Sequence, residues 1–455
     1  MKLSAADLAK ATGGQWQAVP PAEIHGFHFD TRKLVSGSCF IALTHGNRDG
    51  HDFIGQAAVK GATCAIVERI CSVNLPQLLV TDSLEAIAAI AAAERQSFKK
   101  PVIGITGSCG KTSTKSMLHV LLGANRTYVT PGNWNNRVGV PMTLFGLSDQ
   151  DVDFAVIEAG ISEPKEMELL AEMIAPDLVI VTQLGASHLE GLHSMEGIAF
   201  EKSRLMNAAQ ANASLVLPAS VYAYPDFHAF ASQACVVLEN DALLPPSVPK
   251  PAKTVRYSFT KKGIKMYGIE FNLASTSKGM RSNAALAITA AQLLGSDLVD
   301  GSEGLSRWRA QPFRGESFFV GEEFFYIDCY NANPSSMRDA LHTFLNDAPQ
   351  DLPRAYIIGV MNELGNSARD YHFEIGKELA LRAEDKVWFI GPDDLTEAYA
   401  AGASDSSVAK VQISCTSQPK EIESEIRKFS GAYFLKGSRQ FKLESLLSKS
   451  LNPHY

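Results

Sequence analysis

No run of apolar residues in this 455-residue chain approaches the ~20 that a membrane-spanning helix needs. The start, MKLSAADLAKATGG, also lacks the continuous apolar core of a secretory leader. These absences lead us to expect a cytoplasmic protein without membrane insertion. Cysteine is sparse: seven residues, at 39, 64, 71, 109, 235, 329 and 415, with no CxxC pair. Such scatter fits reduced thiols better than disulfides or a zinc site. Positive charge is in deficit, with 42 Lys+Arg against 49 Asp+Glu, a net charge of -7 and a pI near 5.9. Nucleic acid is therefore not expected as a partner, although local arginines can still hold an anionic substrate. Repeats and low-complexity segments are missing too. What remains, 45% hydrophobic and 20% charged, is a globular chain long enough for about three domains.

The hydrophobic pattern divides the chain accordingly. Residues 1–98 read as a mixed α/β unit with short strands at Cys39 to Leu43 and Cys64 to Val67, then an alanine-rich helix from Leu84 to about Phe98. After the linker SFKKP, residues 99–312 alternate strands (VIGIT, DFAVIEAG, DLVIVTQ) with helical runs, the pattern of a parallel sheet covered on both faces. A third alternating unit, 313–455, carries FFYID, AYIIGV, KVWFIG and AYFLKG. The fold class is α/β.

Between the first central strand and its helix lies GITGSCGKTSTKSM, residues 104–117. A sharp strand-to-helix turn leaves backbone N–H groups unpaired at the positive end of the helix dipole, and glycines let that backbone wrap an anion closely. Gly107, Ser108, Cys109, Gly110 and Ser113 form this phosphate loop. Lys111 supplies charge and Thr112 a hydroxyl for magnesium. The strict P-loop spacing fails at one position, Ile105 standing where glycine is usual. Cys109 lies close enough to Lys111 for its thiol pKa to be lowered, or it contributes only its backbone N–H.

Ligands of open parallel sheets bind beyond the carboxyl ends of the strands. Glu158 closes FAVIE there, and His188 follows VIVTQ; each, taken alone, also reads as a solvated loop residue. In SMEGIAFEKSRLMNAA (194–209), Met195, Ile198, Ala199, Leu205 and Met206 make a stripe of helical period, and Lys202 stands inside it. Two readings are open. The lysine snorkels to water, or a desolvated amine reacts with carbon dioxide to form a carbamate, a carboxylate able to ligate a second magnesium ion with His188.

At this point TGSCGKTSTK, GNWNNRVGVP, IEAG, GASHLEGLHSMEGIAFEKSRL, SNAALA, PFRGE, IDCYNANPSSM, GVMNELG and FLKGSR together resemble the Mur ligases, ATP-dependent amide ligases of peptidoglycan synthesis. FDTRKLVSGSCFIAL and GHDFIGQAAVKGA extend the resemblance through the first unit, so it runs nearly end to end. It implies three domains: one for a UDP-sugar substrate, a central P-loop ATPase domain and a mobile Rossmann-like C-terminal domain. Within the family it is to the branch that joins D-alanyl-D-alanine to UDP-N-acetylmuramoyl-tripeptide, acting as a monomer with ATP and Mg2+. Carried over residue by residue, it implies Lys111 on the β/γ-phosphates, Thr112 and Glu158 on the first magnesium, His188 on the second, and Lys202 as the carbamate. Asn283 would meet adenine, Arg314 the phosphates, and Asp328 the ribose or the domain junction. Thr31 and Arg32 match the uridine segment, and Asn133 and Asn136 face the sugar nucleotide. The chain departs from the family in STSKGMRSN, which lacks the usual histidine, and in Gln183, which replaces an asparagine. A sister ligase with another amine substrate and a P-loop switch that only turns over nucleotide are the competing readings.

Overall fold

A computed structural model of the chain describes residues 4–45, 48–275, 277–406 and 411–447. Thr276, in the STSKGMRSN segment, lies outside them. The described residues build three larger sheets in chain order. The first holds five short strands in the order Gln15–Trp16, Gln77–Leu79, Cys64–Val67, Cys39–Ile41 and Phe27–His28, parallel except at the Gln15–Trp16 edge. Its main helix, Ser83–Ser97, starts where the Asp82 side chain accepts from the N–H groups of Leu84 and Glu85, one of the strongest N-cap signals a sequence can carry.

The central sheet is the largest. Val102–Thr106 lies between Phe154–Glu158 and Leu178–Val181, all parallel, and every residue of Val102–Thr106 is buried. Such an uninterrupted apolar strand is what a sheet covered on both faces demands. Two separate apolar clusters provide that cover. One is built on Val102, Ile157 and Leu170 and the other on Ile103, Leu118 and Ile180. Because the chain passes to one side of Val102–Thr106 and then returns to the other, the strand ends at a topological switch point, where an open sheet leaves a crevice. The far edge turns antiparallel through Lys253–Thr260, Gly263–Met266 and Ile269–Asn272, a hairpin extension that the strand-helix alternation of the sequence does not disclose.

The third sheet runs Glu316–Val320, Glu323–Asp328, Ala432–Lys436, Arg354–Gly359, Lys386–Ile390 and Gln412–Thr416, parallel beyond its first hairpin. Aromatic stacking stiffens it, with Phe325 over Tyr433 at 4.7 Å and Phe389 over Tyr399 at 4.8 Å between centroids. Among the described residues no helix is long and apolar enough to cross a membrane.

The first and central units are bolted together by Arg95. Its buried guanidinium donates to the carbonyls of Ile174 and Ala175 and to Asp177 Oδ2 at 2.8–2.9 Å, while Asp177 also accepts from Val102 N. A planar five-donor head satisfied by three carbonyls, Phe98 among them, and one carboxylate makes this junction stiff. The expected single helix over 194–209 is shorter. Helix Met195–Ser203 tightens into a 3-10 turn at Arg204–Met206, because the chain must reverse before strand Ser214–Pro218.

Candidate functional site

The phosphate loop is held from outside itself. Ser108 N donates to Gln183 O at 2.7 Å, Ser108 Oγ to Gly185 O at 2.9 Å, and Thr182 Oγ1 to Cys109 O at 2.6 Å. Gly107, at φ +145°, has Thr182 Oγ1 where a Cβ would stand, 1.9 Å away. Gly110, at φ +84°, begins helix Lys111–Leu122 with no side-chain cap, so the first-turn N–H groups point at the crevice as an anion site. Gln183 turns out to be a partner of Cys109, whose Sγ donates to its Oε1 at 3.2 Å. The lowered thiol pKa considered for Cys109 is not found. Packing pushes this thiol up to about 11, although part of its surface still faces the cavity, and the residue serves the loop through its backbone.

A cavity of ≈ 460 Å³ opens over this loop. Gly110, Lys111, Thr112, Ser113 and Asn283 line it from the central unit, and Arg314 from the start of the C-terminal unit. Lys111 folds back to donate to Gly107 O at 2.7 Å, and burial, the largest cause, draws its pKa below the usual lysine value. Asn283 packs on Gly110: its Oδ1 lies 2.4 Å from the place a Cβ would occupy. Arg314 lies flat on Tyr330, 3.8 Å from the ring centroid.

Glu158 sits at the end of its strand with no exposed surface. Thr112 Oγ1 and Asn135 Nδ2 approach its Oε2 at 3.4 Å each, and Lys115 Nζ approaches Oε1 at 2.9 Å. Oε1 accepts no aligned hydrogen bond. A buried carboxylate whose contacts to hydrogen-bond donors are this long, behind the Thr112 hydroxyl that lines the cavity, fits a hard cation as a further partner beside Lys115.

His188 also lines the cavity, in the left-handed region at φ +56°. Its Nδ1 pairs with Glu363 of the C-terminal unit, and this contact holds the Glu363 carboxyl below its ordinary range. Lys202 is 1% exposed, so the snorkelling reading fails. Burial first and the charge of Lys111 second draw its pKa well below the usual lysine value, the condition of a nucleophilic amine. It does not line the cavity.

The C-terminal unit closes the other wall. Asp328 is paired with buried Lys436 at 2.6 Å, and the same ammonium donates to Asn331 O at 3.1 Å. Asn133 and Asn136 line the cavity, Asn136 Oδ1 accepting from Gly139 N at 2.9 Å. Thr31 and Arg32 lie apart from it. Thr31 is held by Gln56 and Lys60, and Arg32 by Asp30. Their segment nonetheless reaches the asparagine loop, since Lys33 lies over the Trp134 ring at 6.0 Å. Sequence reasoning missed Lys115, Asn135, Asp339, Glu363 and Lys436. Three of these, Lys115, Glu363 and Lys436, carry charge inside motifs already singled out (TSTK, NELG, KGSR), which is the signal that could have found them.

Three α/β units, a phosphate loop at a switch point and a third sheet closing over it define a multidomain phosphate-loop enzyme. Residues 105–291 match the Mur ligase middle domain, and residues 314–430 match the domain described as "Mur ligase, glutamate ligase domain". The chain belongs to the Mur ligase family. It is 30% identical to the UDP-N-acetylmuramoyl-tripeptide--D-alanyl-D-alanine ligase of Bacillus subtilis (strain 168), over 93% of this chain and 92% of that one. Identity is also 30% to the enzyme of the same name from Escherichia coli (strain K12), over 92% of both chains. Among solved structures, MurF from Acinetobacter baumannii superposes with a TM-score of 0.83 at 27% identity, covering 97% of each chain.

Proposed function

We propose that this chain is an ATP-dependent amide ligase that joins D-alanyl-D-alanine to the terminal carboxylate of UDP-N-acetylmuramoyl-tripeptide, the last cytoplasmic step in making the muramoyl pentapeptide. The observation that carries the reading is a phosphate loop whose Lys111 and Thr112 line a cavity that a separate α/β unit closes, with the buried Glu158 behind Thr112. Near full-length similarity to two ligases of that name supports the choice of substrates.

In this reading residues 1–98 hold the UDP-sugar through the segment of Thr31 and Arg32. Residues 99–312 hold ATP, and residues 313–455 complete the site for the amine. The loop N–H groups of residues 107–113 cradle the phosphates, Lys111 leaves Gly107 O to meet the β/γ-phosphates, and Asn283, beside the loop, meets the adenine. Arg314 is oriented toward the phosphates by its stacking on Tyr330. Asp328, fixed by Lys436, meets the ribose or the junction. Asn133 and Asn136 face the substrate from the central unit.

The carboxylate oxygen of the tripeptide attacks the γ-phosphorus, the bond to the β-bridging oxygen breaks, and ADP leaves an acyl phosphate. The free amine of D-alanyl-D-alanine then adds to the activated carbonyl. It loses a proton, and the tetrahedral adduct expels inorganic phosphate to leave the amide. Two anions must approach one another in the first step, so the protein's work is electrostatic: Lys111 and Arg314 offset charge where it gathers. Thr112 and Glu158 would hold a magnesium ion, which when bound screens the phosphate oxygens. His188 would hold a second with Lys202 as its carbamate, formed by the neutral amine adding to carbon dioxide with loss of a proton. The buried amine of Lys202 fits that chemistry. Its ligation with His188 requires the His188–Glu363 pair to part. Closure of the third unit keeps water from the acyl phosphate.

A ligase with this order of steps is silent until the carboxylate substrate arrives. ATP turnover by the full-length chain should rise steeply on adding UDP-N-acetylmuramoyl-tripeptide. Turnover of equal rate without it would instead mark a nucleotide switch.

A further inference from the structure

Lys115 lies one turn beyond Lys111 on the phosphate-loop helix and, unlike Lys111, does not line the cavity: it is buried in the protein, 2% exposed. An ammonium has three protons, and three acceptors surround this one: Thr130 O at 2.6 Å, Gly132 O at 3.0 Å and Glu158 Oε1 at 2.9 Å. The first two belong to the loop that leads to Asn133, Asn135 and Asn136. One buried cation therefore ties the strand-end carboxylate to the loop that lines the substrate side. The Glu158 carboxylate meets its hydrogen-bond donors Thr112 Oγ1 and Asn135 Nδ2 only at 3.4 Å each.

We propose that Lys115 is a positioning residue that keeps Glu158 charge-balanced before nucleotide binds, so that a divalent cation binds this carboxylate only together with the phosphates of the nucleotide. The inference rests on the reading that Glu158 holds the metal. A lone divalent ion entering beside Glu158 meets one carboxylate whose charge Lys115 already offsets, at a depth where water screens poorly. Among the described residues no group of three or more His, Cys, Asp or Glu side chains is placed to hold a metal ion. The protein's donor set at Glu158 is thus too poor in negative charge to retain a hard cation, which habitually keeps its waters and takes substrate phosphates as ligands. Nucleotide phosphates supply the missing charge. The device loads metal and nucleotide together and leaves the phosphate loop free of a bare ion that an incoming nucleotide would have to accommodate.

Mn2+ is the probe, titrated into the full-length protein without nucleotide and followed by loss of the free-ion electron paramagnetic resonance signal. Wild type and Glu158→Gln should bind it equally weakly. Lys115→Met, which keeps the stem and removes the charge, should bind one Mn2+ at least about tenfold more tightly than wild type. Adding Glu158→Gln to Lys115→Met should cancel the gain, and Lys115→Arg should stay as weak as wild type. A folded Lys115→Met with unchanged or weaker Mn2+ binding overturns the proposal. So does a tight Mn2+ site in the wild type that Glu158→Gln removes, a comparison that decides the matter even if Lys115→Met does not fold. Failure of the underlying reading is separable: with a non-hydrolysable ATP analogue present, Glu158→Gln should weaken Mn2+ uptake, and no effect there removes Glu158 from the metal site whatever Lys115 does.

Discussion

Asp339, on helix Pro334–Asp347 of the C-terminal unit, accepts a hydrogen bond from Ser277 Oγ at 2.6 Å and from Gly279 N at 3.0 Å. Ser277 is itself the N-cap of the central helix Lys278–Leu293 that carries Asn283. The third unit therefore braces the N-terminus of helix Lys278–Leu293 of the second, beside the cavity, through one carboxylate. His188 and Glu363 make a second clasp on the far side, and Gly185 lies against Ser335 with 2.7 Å between its Cβ position and Ser335 Oγ.

Removing the first clasp should loosen closure more than it weakens the fold. Asp339→Ala takes away two charge-assisted hydrogen bonds, about 1–3 kcal/mol, or roughly 5- to 150-fold in the closed-to-open ratio. We expect the apparent affinity for the amine substrate to fall several-fold and the radius of gyration with ligands bound to rise. An unchanged radius and an unchanged KM for the amine would show that closure does not pass through Asp339.

Lys111→Ala should abolish ligation without unfolding the chain. Only a charge facing the cavity and one hydrogen bond to Gly107 O are lost, so the melting temperature should stay close to wild type while turnover drops by about 10²-fold or more. Retention of most turnover would place the phosphoryl chemistry elsewhere.

Gly110→Ala tests the loop by shape. The φ of +84° is strained for alanine, and the added methyl would overlap Asn283 Oδ1, at about 1–2 kcal/mol for the backbone alone. Nucleotide affinity should fall sharply. Part of the loss should return in Gly110→Ala with Asn283→Ala, because the two residues share one space and their effects should not add. Full additivity would mean that the side chain of Asn283 does not rest on the loop.

Lys202 gives a pH signature. Its folded pKa lies well below the unfolded value near 10.5, so the unfolded chain binds the extra proton. Stability from this group therefore rises as pH climbs from the folded pKa toward 10.5, and it is lowest below that window. Lys202→Met should remove this rising component and raise the melting temperature most at the acid end. If the carbamate forms, Lys202→Met should also be nearly inactive, and Lys202→Ala nearly inactive but partly restored by formate or acetate, which can enter the vacated space. A flat difference in melting temperature between the two proteins across pH would contradict the buried free amine.

The alternation of strands and helices in the central and third units was legible because parallel strands buried on both faces are written as unbroken apolar runs, VIGIT and AYIIGV among them. The phosphate loop was legible for the same local reason, a strand feeding a glycine turn and a helix. Lys202 stood out as a charge inside an apolar stripe, and its burial agrees with that anomaly. The hairpin extension over 263–272 was not visible, since half its residues face solvent and no helix separates the strands. Nor were Asp339 and Glu363, which act on residues 60 or more positions away in sequence. Lys115 reads in sequence as one more helical lysine, and only the fold shows that it points inward at Glu158. Contacts across units have no periodicity to betray them.

The most direct measurement is the mass of the product. The full-length chain, incubated with ATP, Mg2+, UDP-N-acetylmuramoyl-tripeptide and a panel of amines, should yield with D-alanyl-D-alanine a species whose mass is the sum of the two substrates less one water. ADP and inorganic phosphate should appear in equal amounts with it. Condensation with another amine such as glutamate in preference to D-alanyl-D-alanine, or ATP breakdown with no condensed product, would contradict the account.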